Sequence, residues 1–322
     1  MEFGKILVTG GCGFIGSNFV RHMLANYPEI DIMNLDKLTY AGRLENLKDV
    51  ENNPHYTFIK GDICDAAKVA EAMNGCDAVL NFAAESHVDR SIKDAAAFIR
   101  TDVMGAYVLL EEARKLDVQK FVQVSTDEVY GQIMKGSFKE TDVLMPRNPY
   151  SASKAGADRL AYSFFATYGA PVVITRSSNN FGPYQFPEKV IPLFITNLLR
   201  GKKVPLYGDG MNVRDWLHVE DNCEAIDLCL RKGKNGEVYN VGGGNEIRNV
   251  DLTKTILKEL GKGDELIEHV EDRLGHDRRY SLDCGKIGKE LGWKPRAEFK
   301  SALKETIKWY KGNKWWWEPL VK

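Results

Sequence analysis

The chain has 322 residues, of which 43% are hydrophobic and 28% charged, and its formal net charge is −1. A nearly balanced charge gives no electrostatic basis for binding nucleic acid or an anionic membrane surface. No apolar run approaches the roughly 20 residues that cross a bilayer, and we expect no signal peptide, so the composition indicates a globular enzyme with room for two domains.

The six cysteines give no sign of a metal site or a disulfide framework, because no two of them are spaced as C-x-x-C. We therefore expect no bound metal and a reducing, cytoplasmic location, with cysteines that act as small buried hydrophobes. They are Cys12, Cys64, Cys76, Cys223, Cys229 and Cys284.

The first predicted strand, 5–9, leads into a glycine-rich turn and then an apolar helical pattern. Gly10, Gly13 and Gly16 allow a tight turn and a close approach of the backbone to a pyrophosphate, which the helix N-terminus would bind. A plain strand–helix turn is the alternative interpretation, but in this context the glycine pattern predicts a dinucleotide site.

The second predicted strand ends at Asp36, which lies 20 residues after Gly16. A carboxylate there can accept hydrogen bonds from ribose hydroxyls and would repel a 2′-phosphate, which favours NAD over NADP. The neighbouring Lys37 weakens that preference. A third strand, 57–60, ends near Asp62, which either accepts from the adenine amino group or caps the next helix.

The fourth predicted strand, 78–84, ends in two small alanines that would let the backbone of a cofactor pass close by. In the polar segment that follows, Ser86 could reach a substrate. Thr101 comes just before a predicted helix at 105–116 and could face the cofactor.

The predicted strand at 121–124 is followed by two adjacent carboxylates, Asp127 and Glu128, with the hydroxyl of Thr126 beside them. The carboxyl ends of strands are where open α/β sheets bind ligands. Such a pair would do little for stability at a strand end, but in a cleft it could act as acid and base on one substrate. A shared cleft would raise the pKa of one of the two, although the sequence does not say which.

Tyr150 and Lys154 lie four residues apart at the start of a helix predicted to run to about Tyr168, so they share one helical face. A phenol titrates at about pH 10, and a nearby ammonium favours the phenolate and lowers that pKa. Lys154 could also hold a ribose hydroxyl. A surface Tyr–Lys pair is the alternative. In a chain that begins with a dinucleotide-binding turn, however, the pair predicts a catalytic base.

Together, the glycine turn and Tyr150-x-x-x-Lys154 resemble the extended short-chain dehydrogenase/reductase superfamily. Sugar-nucleotide epimerases of that superfamily share both motifs but usually lack the Asp–Glu pair. Cys12 stands where alanine is commoner, and Leu274 where proline is common. Four further stretches are similar to dTDP-glucose 4,6-dehydratases, and the similarity extends over essentially the whole chain: 84–91, 126–128, 179–189 and 315–319.

The resemblance implies how the substrate is held. Asn179 would face the substrate diphosphate, and the guanidinium groups of Arg214 and Arg273 would match its phosphate oxygens. For Arg214, a surface salt bridge with Asp215 is the alternative. The expected cofactor contacts are Gly10, Gly13, Phe14, Ile15, Gly16, Asp36, Lys37, Thr39, Asp62, Ile63, Phe82, Ala83, Ala84, Thr101, Tyr150, Lys154 and Asn180. The expected substrate contacts are Ser86, Thr126, Asp127, Glu128, Asn179, Lys189, Val190, Pro205, Tyr207, Arg214, Asn249, Arg273 and His276.

The resemblance also implies the reaction, a conversion of dTDP-glucose to its 4-keto-6-deoxy derivative with a tightly held NAD. Tyr150, assisted by Thr126 and paired with Lys154, would remove the proton of the 4-hydroxyl during oxidation at carbon 4. Glu128 would take the carbon-5 proton, Asp127 would protonate the departing 6-hydroxyl, and hydride would return to carbon 6. A UDP-sugar 4,6-dehydratase, a 4-epimerase, a decarboxylase of a glucuronate nucleotide and a non-catalytic NAD-binding regulatory protein are the alternatives.

The predicted fold class is α/β, with a doubly wound parallel (Rossmann) sheet and a smaller, interleaved α/β substrate domain. The NAD-binding domain would comprise 1–178 and about 216–244, and the sugar-nucleotide domain about 179–215 and 245–322. The superfamily implies a homodimer through two helices of each subunit. We expect the Trp315–Trp317 cluster to pack against the domain.

Overall fold

The computed structural model describes residues 3–321, which form a large sheet with helices on both faces and two smaller sheets. The strands are β1 (Lys5–Thr9), β2 (Asp31–Asp36), β3 (Tyr56–Lys60), β4 (Ala78–Asn81), β5 (Lys120–Thr126), β6 (Val172–Ser177), β7 (Asn179–Phe181), β8 (Val204–Tyr207), β9 (Val213–His218), β10 (Val238–Val241), β11 (Glu246–Arg248) and β12 (Ile267–Val270). The helices are α1 (Phe14–Asn26), α2 (Ala66–Met73), α3 (Val88–Lys93), α4 (Ala95–Phe98), α5 (Gly105–Lys115), α6 (Pro149–Tyr168), α7 (Val190–Leu199), α8 (Val219–Lys232), α9 (Asn249–Glu259), α10 (Gly285–Leu291), α11 (Phe299–Gly312) and α12 (Lys314–Trp317).

The large sheet has the strand order β10-β6-β5-β4-β1-β2-β3, and every neighbouring pair is parallel. The chain builds outward from β1 to β3, then returns to place β4 on the other side of β1. Open α/β sheets bind ligands beyond the carboxyl ends of the strands at such a reversal. The predicted doubly wound parallel sheet is therefore confirmed, and its crevice lies beyond β1 and β4.

The central strands are buried on both sides, which explains their nearly unbroken apolar runs. Every residue of β4 and β5 is buried. Side chains on one face of the sheet pack against α1 and α8, and those on the other face pack against α2, α5 and α6. These two layers fix the strand ends that carry the site.

The second half of the chain contributes a three-stranded sheet, β11-β9-β7, and a two-stranded sheet, β12-β8. A separate hydrophobic core lies under α7, α9 and α11 and includes Trp316 and Trp317, each 1% exposed, whereas Trp315 is 52% exposed. Strand β10 returns to the large sheet. The division into two interleaved domains stays a prediction, and its expected boundary near 216 falls within β9.

Two strand ends differ from the predicted ones. Strand β5 continues through Thr126, because its pairing with β6 extends to Thr126 opposite Ser177. Strand β4 ends at Asn81 rather than at 84. The glycine turn lies against the segment that follows: a Cβ on Gly10 would be 2.6 Å from the backbone nitrogen of Ala83. The two alanines are therefore part of the crevice wall rather than of the sheet.

The segment before α5 has a conformation that the sequence did not indicate. Helix α4 continues through a π-helical turn, Ile99–Met104, directly into α5. π-Helical turns are rare and are found often at functional sites. Here the turn contains Thr101 and the buried Asp102, which is 3% exposed.

All six cysteines are free thiols; four are buried, and Cys64 and Cys284 are half-buried. Within residues 3–321 no helix has both the length and the apolarity that crossing a membrane requires.

Candidate active site

A deep pocket opens at the reversal of the sheet, and the side chains expected to bind the cofactor meet there. Each of the residues named above as a cofactor contact lines this pocket. Six of the expected substrate contacts line it as well: Ser86, Thr126, Asp127, Glu128, Asn179 and Lys189. The strand ends of β1, β2, β4, β5 and β6 thus bring residues from distant parts of the chain into one cavity.

The glycine turn is built for close approach of a ligand to the backbone. Gly10 has φ +69°, a left-handed conformation that favours glycine. Among the described residues no side chain caps α1, so the amides of its first turn remain available to an anion. The residues present fit the pyrophosphate of a dinucleotide.

Asp36 ties this turn to the end of β2. Its Oδ2 accepts from the amide of Cys12 at 2.9 Å and its Oδ1 from the amide of Leu38 at 2.8 Å. Burial raises the pKa of Asp36, while these two amides lower it. Each carboxylate oxygen can still accept a further hydrogen bond, such as one from a ribose hydroxyl. Lys37 pairs with Asp62 at 2.8 Å across the pocket rim.

The two adjacent carboxylates sit on a single 3-10 turn, Asp127–Tyr130, that follows β5 directly. Thr126 caps this turn: its Oγ1 accepts from the amide of Glu128 at 3.3 Å and lies 3.1 Å from the Asp127 Oδ1, to which it donates. Behind the turn, Arg176 donates to the hydroxyl of Tyr130 at 2.6 Å. The turn is therefore held from both sides, and its carboxylates face the pocket.

Burial raises the pKa of Asp127 well above the usual value of an aspartate. Asp127 is 2% exposed, so burial favours its neutral form, and the neighbouring carboxylate of Glu128 acts in the same direction. The Thr126 hydroxyl and the charge of Arg214 oppose the shift. We predicted that a shared cleft would raise the pKa of one of the two carboxyl groups, and the structure shows such a shift for Asp127.

Tyr150 and Lys154 enter the pocket from the first turns of α6. The helix begins with a capping box, in which Asn148 accepts from the amide of Ser151 at 2.8 Å and Ser151 Oγ accepts from the amide of Asn148 at 3.2 Å. Lys154 Nζ donates to the carbonyl of Val124 in β5 at 2.8 Å. Lys154 is thus fixed against the strand that leads to Asp127 and Glu128.

The expected lowering of the pKa of Tyr150 is wrong. Burial raises the pKa of this phenol, and the carboxylates of Glu128, Asp102 and Asp127 raise it further. A hydrogen bond with Thr126 opposes the shift in the pKa of Tyr150 without cancelling it. A phenolate therefore requires additional positive charge in the pocket.

Several buried polar atoms of the pocket have no hydrogen-bond partner among residues 3–321. Buried polar groups in proteins are nearly always paired, so their concentration at one place indicates a polar ligand. They are Ser125 Oγ, Asp127 Oδ2, Glu128 Oε2, Asn179 Oδ1, Asn180 Oδ1 and Gln185 Oε1.

Three of the remaining substrate contacts form a second group around Asp89 of α3. Tyr207 donates its hydroxyl to Asp89 at 3.3 Å, and Arg273 lies 3.8 Å from the same carboxylate. The ring of His276 packs edge-on to Tyr207 at a centroid distance of 6.0 Å, and burial lowers the pKa of His276. A guanidinium, an imidazole and a phenol together would suit a nucleoside diphosphate.

Arg214 is buried, so the alternative of a surface salt bridge with Asp215 is wrong. Its Nη2 donates to the carbonyl of Asp277 at 2.8 Å, and its guanidinium lies 4.2 Å above the ring of Tyr280. Asp215 instead accepts from the amides of Gly243 and Asn245.

Val190, Pro205 and Asn249 do not line the pocket, although the sequence assigned them to the substrate. Val190 begins α7, Pro205 pairs opposite Glu268 between β8 and β12, and Asn249 begins α9. Their contacts with a substrate stay a prediction.

Glu188 and Tyr40 line the pocket, but neither was named as a contact. Tyr40 donates to Glu188 at 2.7 Å across the cavity, and the guanidinium of Arg90 lies 3.5 Å above the Tyr40 ring. Glu188 directly precedes Lys189 within the stretch 179–189, and its place in that motif could have identified it as a contact. Tyr40 lies four residues past Asp36 and had no signal of its own.

Comparisons with known proteins agree with this geometry. A family model described as GDP-mannose 4,6 dehydratase matches residues 7–306. A dTDP-glucose 4,6-dehydratase of Streptomyces antibioticus is 53% identical over 323 residues, which cover 99% of this chain and 96% of that protein. The crystal structure of DesIV, a dTDP-glucose 4,6-dehydratase from Streptomyces venezuelae with NAD bound, has a TM-score of 0.97 at 52% identity and covers 98% of this chain and 100% of that one.

The sheet and its site put the protein among the nucleotide-sugar enzymes of the short-chain dehydrogenase/reductase type. The fold alone does not distinguish a dehydratase from an epimerase. A UDP-glucose 4-epimerase of Thermus thermophilus, solved with NAD, has a TM-score of 0.89 at 30% identity and covers 96% of this chain and 99% of that one. Identity above 50% over nearly the whole chain is more specific. The chain belongs to the dTDP-glucose 4,6-dehydratase family, as its motifs predicted.

Proposed function

We propose that this protein is a NAD-dependent lyase that converts dTDP-glucose to dTDP-4-keto-6-deoxy-glucose and water. The observation that carries the proposal is a surplus of acid–base groups in one pocket. Tyr150 and Lys154 suffice for oxidation at carbon 4, and Asp127 and Glu128 remain for a second reaction. Two relatives that are about half identical are named as dTDP-glucose 4,6-dehydratases, and two solved structures of such dehydratases contain NAD.

The first step uses Tyr150 as base. When bound, NAD would supply a reversible hydride acceptor for carbon 4 of the sugar and a hydride donor for carbon 6. Tyr150 removes the proton of the 4-hydroxyl, with Thr126 hydrogen-bonding the same oxygen. Lys154 has three donors, of which one is used by Val124, and the others can hold a ribose hydroxyl.

The second step uses the two carboxylates. The new ketone acidifies the hydrogen on carbon 5, which Glu128 removes. Asp127 donates its proton to the departing 6-hydroxyl, and water leaves. Once hydride has returned to carbon 6, a proton is restored to carbon 5, which completes the 4-keto-6-deoxy sugar. The raised pKa of Asp127 supports its role as the acid, since burial and the charge of Glu128 keep it protonated.

The substrate is held by the polar groups farther out. Asn179 and Lys189 line the same pocket as the carboxylates, and Lys189 donates to the carbonyl of Ser86 at 2.5 Å. Arg214 and Arg273 bind the diphosphate in this proposal, and Tyr207 lies beside the base. Binding of a diphosphate at Arg273 would compete with its contact to Asp89.

Incubation of the purified protein with dTDP-glucose is expected to give a keto sugar, detected by its absorbance in alkali. A single methyl distinguishes thymine from uracil, so UDP-glucose should react more slowly by about 10- to 200-fold at most. Formation of a galacto sugar without any keto product would contradict the proposal and favour an epimerase.

We also propose a cytoplasmic homodimer. Several large apolar side chains of the 99–115 segment and of α6 are exposed, which supports pairing of these helices with a second subunit. They are Ile99, Met104, Tyr107, Tyr162 and Tyr168. Light scattering of the purified protein should give the mass of two chains, and the mass of one chain would contradict the pairing.

A further inference from the structure

We infer that Tyr130 is a positioning residue for Asp127 and Glu128. Its buried hydroxyl, held between Arg176 and Asn240, fixes the far end of the 3-10 turn that carries the two carboxylates. The inference rests on the proposed roles of Asp127 and Glu128 in the elimination. Tyr130 itself does not line the pocket, and no step of the proposed reaction uses it.

The hydroxyl of Tyr130 is engaged on both sides in the interior of the protein. The residue is 2% exposed. Its oxygen donates to Oδ1 of Asn240 at 2.8 Å and accepts from Nη1 of Arg176 at 2.6 Å. A buried donor or acceptor that loses its partner keeps the full cost of leaving water. The two hydrogen bonds therefore confine the tyrosine, and with it the end of the turn, to one position.

Arg176 is fixed to the helix that carries the proposed oxidation pair. Its Nε and Nη2 donate to the two oxygens of Asp158 at 2.8 and 2.9 Å, and both side chains are almost entirely buried. Such a bidentate ion pair sets direction as well as distance. Asp158 lies on α6, about one helical turn beyond Lys154. The hydrogen bonds of Arg176 thus connect the 3-10 turn to α6 through Tyr130.

Asn240 fixes the other side of the tyrosine to strand β10. Its Nδ2 donates to the carbonyl of Phe138 at 2.9 Å. The ring of Phe138 stacks on that of Tyr130, with centroids 4.9 Å apart and an interplanar angle of 11°. Tyr130 is therefore held by β6, by β10 and by the segment that follows the turn.

The carboxylates depend on this anchor because few contacts hold them directly. Oδ2 of Asp127 and Oε2 of Glu128 have no hydrogen-bond partner among residues 3–321. Thr126 fixes the near end of the turn, since it pairs with Ser177 in the large sheet. Tyr130 fixes the far end. A displacement of about 1 Å at a reacting group can cost a factor of about 10² in rate, so a loosened far end should slow the elimination.

The test is Tyr130→Phe, which removes the hydroxyl and keeps the ring with its contacts to Phe138 and Arg176. We expect release of the carbon-5 hydrogen to slow by about 10- to 100-fold. Reduction of the cofactor should keep the parent rate, because the pair on α6 has its own anchors in the capping box and the carbonyl of Val124. Rapid mixing measures the cofactor, and deuterium lost from carbon 5 measures the elimination. The ratio of the two rates does not depend on the folded fraction, so a loss of stability alone leaves it unchanged.

Tyr239→Phe is the matched control. Tyr239 is 0% exposed and directly precedes Asn240 in β10. Its hydroxyl also makes two hydrogen bonds, to Glu290 at 3.1 Å and from the amide of Lys234 at 3.2 Å, but neither reaches the turn. Both rates of this variant should equal those of the parent.

A second variant removes the same anchor from the other side. Arg176→Lys keeps a cation opposite Asp158 but lacks the fork that also reaches Tyr130, so it should slow the carbon-5 step selectively as well. It takes the place of Tyr130→Phe if that protein does not fold. Release of the carbon-5 hydrogen at the parent rate in the folded variant, or equal slowing of both rates, would overturn the inference. No release of that hydrogen by the parent protein would instead refute the proposed function.

Discussion

Replacing Tyr150 with phenylalanine is expected to slow the first oxidation by about 10²- to 10⁴-fold, because proton transfer to a positioned side chain contributes a factor of that size. The change removes one oxygen and keeps the ring, which packs edge-on to Phe98 with centroids 6.2 Å apart. Helix α6 should therefore keep its packing. Rapid mixing of the variant with dTDP-glucose, followed by the absorbance of the reduced cofactor, measures the rate.

Tyr162→Phe provides the control for this experiment. Tyr162 lies on the same helix, is 42% exposed and does not line the pocket. The change keeps the ring that we propose to pack against a second subunit and removes only the hydroxyl, so the oxidation rate should be unchanged. An oxidation rate in Tyr150→Phe close to that of the parent would show that another group takes the proton of the 4-hydroxyl.

Glu128→Gln is expected to separate oxidation from elimination. Tyr150 and Lys154 are untouched, so the cofactor should still become reduced, but the carbon-5 hydrogen has lost its base. Release of the keto product should fall by about 10²- to 10⁴-fold. A substrate that carries deuterium at carbon 5 measures the removal of that hydrogen directly. The parent should release the deuterium to solvent, and the variant should retain it at carbon 5.

Asp127→Asn is the informative partner of that variant. It removes the acid and keeps the base, so exchange at carbon 5 should continue while the loss of water slows. If Glu128→Gln exchanges the carbon-5 hydrogen at the parent rate, Glu128 is not the base. If the two variants behave alike, the division of roles between them is wrong.

The parts of the site that the sequence predicted are those set by local spacing. Gly10, Gly13 and Gly16 follow a strand and open a helix, and Tyr150 and Lys154 lie one helical turn apart. Asp127 and Glu128 follow a buried strand, whose carboxyl end must meet the crevice of a doubly wound sheet. Each of these relations involves only a few consecutive residues, so composition and periodicity were enough.

The features that the sequence did not predict depend on contacts between distant segments. The raised pKa of Tyr150 arises from burial and from carboxylates on separate elements. Asp102, on the π-helical turn before α5, accepts a hydrogen bond from Ser153 of α6. Arg214 was paired with its neighbour Asp215 as an alternative, but the fold directs it to the carbonyl of Asp277. Tyr40 meets Glu188 across 148 residues of sequence. No local pattern carries such information.

A dehydratase that uses both sets of acid–base groups moves hydride within one sugar, and the fate of the hydrogen on carbon 4 tests this directly. With dTDP-glucose that carries deuterium at carbon 4, we expect a 4-keto-6-deoxy product with that deuterium in the new methyl group at carbon 6. Deuterium that stays on carbon 4 of a galacto sugar, with no keto product, would contradict it.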